Sequence, residues 1–176
     1  MTYELTTRAF LPRPIGEVFA FFGDAENLEA ITPPGLRFEI LTPRPIRLCA
    51  GAKLDYRIRL HGLPIRWRTE IETWEPPVRF VDRQLAGPYR LWRHEHSFEE
   101  VDGGTLATDR VLYAILPVPG VHRFLVAPDL RRIFTYRLER IRARFGGEVV
   151  GTEAVRIRRL PAAEAGRAAT LGSPAA

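Results

Sequence analysis

The clearest alternation of apolar and polar positions lies in residues 87–117, where it predicts two strands joined by a tight turn. Asp102 and Gly103 form this turn, because Asp-Gly favours a two-residue type I′ hairpin in which both central residues accept a positive φ angle. A two-residue loop also sets which residues of the two strands face each other. The predicted register therefore pairs Val101 with Gly104 and continues outward from that pair.

Side chains alternate between the two faces of a strand, so this register assigns every residue of the hairpin to a face. The predicted solvent face carries Arg93, Glu95, Ser97, Glu99, Thr108 and Arg110. The predicted inner face consists of Trp92, His94, His96, Phe98, Ala107, Asp109, Val111, Tyr113 and Ile115. Buried polar groups need partners, and the register supplies one by placing His96 opposite Asp109.

The chain before the hairpin predicts a strand, two short helices and a run of further strands. The first strand covers residues 3–11, a helix opens at Pro14, and Asp24 caps a second helix over residues 25–31. Strands follow at residues 36–41, 53–60, 65–75 and 78–85. The short connection 86–90 favours a register with Asp82 opposite His94 and Gln84 opposite Trp92, although such a loop fixes pairing less tightly than Asp-Gly.

One long helix is predicted near the C-terminus of the chain. From Asp129 onward Leu130, Ile133, Phe134, Leu138, Ile141 and Phe145 form an apolar stripe, and Gly146-Gly147 ends the helix. We predict one domain over residues 1–146 and a disordered tail over residues 147–176, because the tail lacks sustained periodicity. The fold class is α+β: a curved antiparallel sheet of about seven strands wraps around the long helix, which covers its apolar face and leaves an internal cavity.

Composition adds few constraints on function. The net charge is +5 and the isoelectric point is near 10.0, but nearly all of the 26 basic residues are arginine, and we read them as a solvated surface rather than a nucleic-acid site. The single cysteine, Cys49, implies no disulfide framework, and the chain shows neither a signal peptide nor a membrane span. We therefore expect a cytoplasmic protein without a specific nucleic-acid partner.

Four stretches resemble one known superfamily: VFAFFGDAENLEAITPP from Val18, RFVDRQLAGPYRLWRHEHSFEE from Arg79, GGTLATDRVLYAILP from Gly103 and LRRIFTYRLERI from Leu130. They are similar to the START-related, birch-pollen-allergen-like helix-grip superfamily, called SRPBCC, and to its bacterial polyketide cyclase/dehydrase-like ligand-binding branch. The resemblance covers roughly residues 1–146. It implies a helix-grip fold with an internal pocket for a hydrophobic or amphipathic small molecule, and it leaves the activity open.

The polar residues of the inner face allow three kinds of chemistry. His94, His96, Asp82 and Asp109 are of the types that bind zinc or iron, but two histidines at this spacing are unspecific and the resemblance carries no metal, so we predict none. A His-Asp pair can act as a general base; in that case His94, His96 and Asp109 are the catalytic residues. Otherwise the cluster orders the core or orients a ligand. The predicted ligand-binding residues are Tyr56, Trp67, Phe80, Asp82, Trp92, His94, His96, Asp109, Tyr113, Phe134 and Arg137.

Three functions remain open from the sequence. The first is binding or carriage of a small hydrophobic molecule that is lipid-like, polyketide-like or aromatic. The second is a cyclase, dehydratase or isomerase that uses a His-Asp pair and no redox cofactor. The third is an interaction module whose cavity is vestigial. We predict no cofactor, and the sequence does not distinguish a monomer from a homodimer. His61 and His122 lie beside turns and are interpreted as surface residues.

Overall fold

A computed structural model describes residues 1–152 and 154–170, with side chains through residue 166. Within this part of the chain, nine strands join in one antiparallel sheet: β1 Thr2–Leu11, β2 Glu39–Ile40, β3 Lys53–Leu60, β4 Leu63–Glu75, β5 Arg79–Ala86, β6 Leu91–Val101, β7 Gly104–Ala114, β8 Glu148–Val149 and β9 Arg156–Arg159. The α-helices are α1 Ile15–Phe22, α2 Ala127–Phe145 and α3 Ala162–Thr170.

The sheet follows chain order from β2 to β7 and is then completed by β1, which pairs with β7 on one side and with β8 and β9 on the other. Its curved inner face packs against α1 and α2 in one aromatic-rich core. The predicted α+β helix-grip fold is confirmed. The strand count is higher than predicted, because two short strands after α2 extend the sheet.

The register predicted for the β6–β7 hairpin is confirmed along its whole length. Val101 pairs with Gly104 and His96 pairs with Asp109. The turn type is wrong, however, because Gly103 has a φ of 79° while Asp102 has no positive φ. The turn with two positive φ angles joins β3 to β4 instead, where His61 has 50° and Gly62 has 82°.

The pairing of β5 with β6 follows the second predicted register in part. Asp82 lies opposite His94 as predicted. Gln84 does not pair with Trp92, because the ladder to β6 ends at Arg83; on its other side Gln84 pairs with Thr69 of β4. The side chain of Gln84 instead donates to the carbonyl of Tyr89 at 2.6 Å, within the β5–β6 connection.

The segment between α1 and β3 is less regular than predicted. Asp24 does cap the second helix, since its Oδ1 accepts from the Glu26 amide at 2.9 Å, but that helix is a 3₁₀ helix confined to Ala25–Leu28. The predicted strand at residues 36–41 is reduced to β2, because a second 3₁₀ helix occupies Pro34–Leu36 and Arg37 has a positive φ of 44°. These short elements close one end of the sheet.

The long helix α2 has the predicted orientation. Leu130, Phe134, Leu138, Ile141 and Phe145 are buried against the sheet, and Gly146 ends the helix. A π-helical segment, His122–Val126, runs directly into its first turn. None of the described helices has the length and apolar composition needed to span a bilayer.

The prediction of a disordered tail is wrong for much of residues 148–170. Leu5 pairs with Ile157, and Val155 and Leu160 are buried. Buried Glu4 accepts from Arg158 Nε at 2.7 Å, so an ion pair also fixes this segment. The two strands of this segment that pair with β1 are only two and four residues long, which is too short to show a periodicity in the sequence. Residues 153 and 171–176 of the predicted tail lie outside the described part.

Candidate functional site

A cavity of about 440 Å³ lies between α2 and the inner face of the sheet. Its walls come from strands β3 to β6, the 3₁₀ segment after α1, and the first half of α2. Aromatic side chains form much of the lining, namely Phe21, Phe22, Phe38, Tyr56, Trp67, Phe80, Tyr89, Trp92 and Phe134. The inward-facing alternation of the strands thus produces an apolar chamber, since α2 covers the sheet without filling the space beneath its first half.

Nine of the eleven predicted ligand-binding residues line this cavity: Tyr56, Trp67, Phe80, Asp82, Trp92, His94, His96, Phe134 and Arg137. Two do not, which corrects the predicted lining. Asp109 lies behind the histidines, beside a separate void of about 10 Å³ closed by Leu138 and Ile141 of α2. Tyr113 is fully buried in the core, where it contacts His122.

Three neighbouring strands bring two histidines and two aspartates together. His94 and His96 alternate on β6, with Asp82 opposite on β5 and Asp109 opposite on β7. His94 Nε2 lies 3.1 Å from Asp109 Oδ1, and His96 Nδ1 lies 2.7 Å from the same oxygen. The His94 contact is a hydrogen bond, whereas the His96 contact is shorter but lacks the alignment of a hydrogen bond.

The other two ring nitrogens face Asp82, on the cavity side of the cluster. His94 Nδ1 is 3.7 Å and His96 Nε2 is 3.5 Å from Asp82 Oδ2. Each carboxylate is also held by a threonine: Thr7 Oγ1 donates to Asp109 Oδ2 at 3.3 Å, and Thr69 Oγ1 lies 3.2 Å from Asp82 Oδ1. The two imidazoles are therefore enclosed between two fixed carboxylates.

The surroundings shift the pKa values of this cluster. Burial favours the neutral acid, but the histidines outweigh it and hold the pKa of Asp109 well below its ordinary value and the pKa of Asp82 below its own. Burial, assisted by the neighbouring His96, lowers the pKa of His94. Burial acts on His96 in the same direction, but Asp109 and then Asp82 reverse the effect and raise the pKa of His96. His96 is thus the imidazole that holds a proton more readily.

Besides His96 Nδ1, two cavity-lining side chains carry buried N–H groups without a hydrogen-bond partner among the described residues. They are Trp67 Nε1 and Arg137 Nε. Arg137, one of the predicted ligand-binding residues, lies in the lining with its guanidinium 5.1 Å from the centre of the Phe134 ring. Since an unpartnered buried donor is unfavourable, both groups favour a ligand with acceptor atoms.

Several residues of the region escaped the sequence reasoning. His122, interpreted as a surface residue, stacks on Tyr3 with ring centroids 3.5 Å apart and lies 2.9 Å from the Tyr113 hydroxyl. The cavity lining also includes Leu116, Val118 and Leu125, which are among the exposed large hydrophobic residues of the protein. The pair Leu116 and Val118 on the loop after β7 was the available signal, because grouped exposed apolar side chains indicate a packing or binding role.

Comparison with known proteins gives a family and a fold. A family model described as polyketide cyclase/dehydrase and lipid transport matches residues 11–142. The structure resembles the Zhui aromatase/cyclase from a Streptomyces species, with a TM-score of 0.64 and 14% sequence identity over 82% of this chain and 93% of that one. It also resembles the major latex-like protein 151 of Panax ginseng, with a TM-score of 0.62 and 12% identity over 82% of this chain and 98% of that one. No curated protein sequence matches the chain.

Proposed function

Because the chain belongs to the polyketide cyclase/dehydrase and lipid transport family, we propose that it binds a small amphipathic molecule in the cavity. One observation carries the proposal: the aromatic cavity of about 440 Å³ contains buried donors on Trp67 and Arg137 that no described residue satisfies. Cavities that hold small molecules combine a mostly apolar lining with a few polar groups that fix orientation. We expect this binding to take place in the cytoplasm.

The positions of these groups define the ligand class. The apolar part of the molecule packs on the rings of Tyr56, Trp67 and Trp92. Tyr56 stacks on Trp67, and Trp67 contacts Trp92 edge-to-face. An oxygen of the ligand, such as a ketone, phenolate or carboxylate, accepts from Arg137. A fused aromatic or polyketide-like molecule with ring oxygens meets both requirements, and a lipid with a carboxylate head also does so.

The test uses 1-anilinonaphthalene-8-sulfonate, whose aromatic body and anionic group match this class. We expect one bound dye per chain, with quenching of the fluorescence of Trp67 and Trp92. Arg137→Met removes the charged donor and should weaken the dye at least about tenfold, because a hydrogen bond to a charged group contributes about 1.5–3 kcal/mol. Arg140→Met on the exposed side of the same helix is the matched control.

Two results would contradict this proposal. Equal affinity in the Arg137 and Arg140 variants would mean that the dye does not reach the cavity donor. Native mass spectrometry without a bound small molecule, together with no dye binding to the folded protein, would favour the interaction module with a vestigial cavity. Near-UV circular dichroism must show intact tertiary packing in both variants, since partly folded proteins also bind this dye.

A second candidate is acid–base catalysis, favoured by the opposite pKa shifts of His94 and His96 beside two carboxylates. In this proposal His96 accepts a proton from the carbon next to a ligand carbonyl, and the carboxylates stabilise the imidazolium that forms. The outcome is cyclisation or dehydration of a polyketide-like substrate. The catalytic proposal requires that the purified protein turn over a poly-β-keto substrate. The His96→Gln variant should fold normally and lose this turnover. Binding without turnover would leave the carrier function alone.

A further inference from the structure

We propose that Asp82, His94 and His96 bind a divalent transition-metal ion, zinc or ferrous iron, on the cavity wall, and that Asp109 orients both imidazoles from behind. Two histidines and one carboxylate suit these ions in both ligand type and number. The site does not depend on the occupant of the cavity, so it is separate from the proposed ligand binding; a metal-bound His96 has no free lone pair, so the site is an alternative to His96 as general base.

The distances fit such a site. One ligand atom from each of the three residues lies within 4.8 Å of the others. His94 Nδ1 and His96 Nε2 are 3.7 and 3.5 Å from the same oxygen of Asp82. An ion about 2.1 Å from each ligand separates neighbouring ligands by about 3.0–3.4 Å in octahedral or tetrahedral geometry. Small side-chain rotations therefore close the triad around an ion.

Asp109 supplies the support that ligand histidines require. Histidines that bind metals usually donate their second ring N–H to a carboxylate or carbonyl, which fixes the tautomer and the ring orientation. Asp109 Oδ1 lies 3.1 Å from His94 Nε2 and 2.7 Å from His96 Nδ1. With both N–H groups on the Asp109 side, both imidazole lone pairs face Asp82. One carboxylate thus lies beside both rings: it is hydrogen-bonded to His94, and His96 Nδ1 needs only a small rotation to align with it.

The charge of the cluster favours the same conclusion. Asp82 and Asp109 bring two negative charges into a region where the side chains of all four residues are at most 17% exposed. Buried charges are unfavourable unless they are paired or coordinate an ion. A divalent cation with two neutral imidazoles balances both carboxylates. Asp82, His94 and His96 also line the cavity, so the coordination positions that the protein leaves free face the space where a water or a ligand oxygen binds.

The experiment is zinc titration of the full chain after removal of bound metal with EDTA. Calorimetry, together with elemental analysis after gel filtration, should give one zinc ion per chain. Asp82→Asn keeps the volume of the side chain and should weaken zinc at least about 100-fold because it removes the anionic ligand, whereas Asp109→Asn should weaken it about 10–100-fold. His61→Gln alters a histidine that also contacts an aspartate and should leave the affinity unchanged.

Cobalt(II) gives a second readout that needs no variant. Bound at this site it should show visible d–d bands of a four- or five-coordinate ion, and one equivalent of zinc should abolish them. Equal zinc affinity in wild type, Asp82→Asn and a His94→Gln/His96→Gln double variant would overturn the proposal. Absence of both zinc binding and the cobalt spectrum would also overturn it and would leave the cluster as a pair of imidazoles sharing protons with two carboxylates.

Discussion

Two histidine–aspartate contacts in this protein have the same length and different surroundings. His96 Nδ1 lies 2.7 Å from Asp109 Oδ1 between two strands, with side chains 7% and 8% exposed. His61 Nε2 lies 2.7 Å from Asp129 Oδ2 between the β3–β4 turn and the start of α2, with side chains 55% and 14% exposed. The distance alone therefore says little about what either contact contributes to stability.

The difference follows from the solvent around each pair. Water screens the His61 contact and competes for both groups, so an exposed contact of this kind typically contributes about 0–1 kcal/mol. The His96 contact lies in an apolar core, where the attraction is stronger but an unpaired group is also far more unfavourable. Stability is thus sensitive to the loss of one buried partner and insensitive to the loss of an exposed one.

The largest expected effect comes from Asp109→Ala. This change removes the hydrogen-bond acceptor of buried His94 and the carboxylate beside buried His96, and we expect it to lower the free energy of unfolding by about 3 kcal/mol. Asp109→Asn is the matched control and should cost about 1–2 kcal/mol, because the amide oxygen still accepts a hydrogen bond. Denaturant unfolding measures both. Equal losses in the two variants would show that removal of charge, not of the acceptor, governs the effect.

A smaller effect is expected for His61→Ala. The loss should be below about 1 kcal/mol, and it should shrink further when sodium chloride rises from 0.1 to 1 M, since the Debye length falls from about 10 to 3 Å. The loss in Asp109→Ala should change little over the same range, because the buried pair is shielded from mobile ions. A salt-independent loss at His61 would mean that packing of the imidazole, rather than its charge, stabilises the turn.

The smallest effect concerns His122. Its burial is intermediate between that of His96 and that of His61. Burial, assisted by the charge of Arg131, lowers its pKa from the ordinary value of about 6.5. The unfolded chain therefore binds the proton more readily than the folded protein. The contribution of His122 to stability is complete at pH values above its ordinary pKa, and it is lost as the pH falls through the lower pKa of the folded protein. The free energy of unfolding of wild type and of His122→Gln is measured from pH 7.5 to 5.0. As the pH falls, the wild type should lose stability relative to the variant. An increase in the wild-type advantage at low pH would contradict this sign.

The sequence predicted best what depends on alternation within one strand pair. The Asp-Gly turn and the strict alternation of β6 and β7 determined that His96 faces Asp109, and the helical stripe determined which side of α2 is buried. Alternation says which face a residue occupies but not its depth. Asp109 and His94 share a face, yet only His94 reaches the cavity, because the packing of Leu138 and Ile141 of α2 closes the space beside Asp109.

The errors have a common physical cause, which is that long-range contacts override weak local signals. Residues 156–159 are arginine-rich and show no apolar periodicity, but Leu5 and Glu4 of β1 provide a pairing edge and a buried countercharge. Likewise His122 belongs to a π-helical segment, in which helical spacing no longer predicts the buried side. The Tyr3 ring on which it stacks lies more than a hundred residues earlier in the chain.

The position of β1 in the sheet has a consequence for the order of folding. This strand is synthesised before the other eight, but its partners β7 and β9 follow it by about a hundred residues or more. Pairs so distant in sequence carry a large loop-closure cost and form late. During synthesis the ten residues of β1 therefore remain without their sheet partners until β7 has emerged. The hairpins from β3 to β7 pair strands that are adjacent in the chain, so we expect them to form first and to provide the edge on which the N-terminal strand docks.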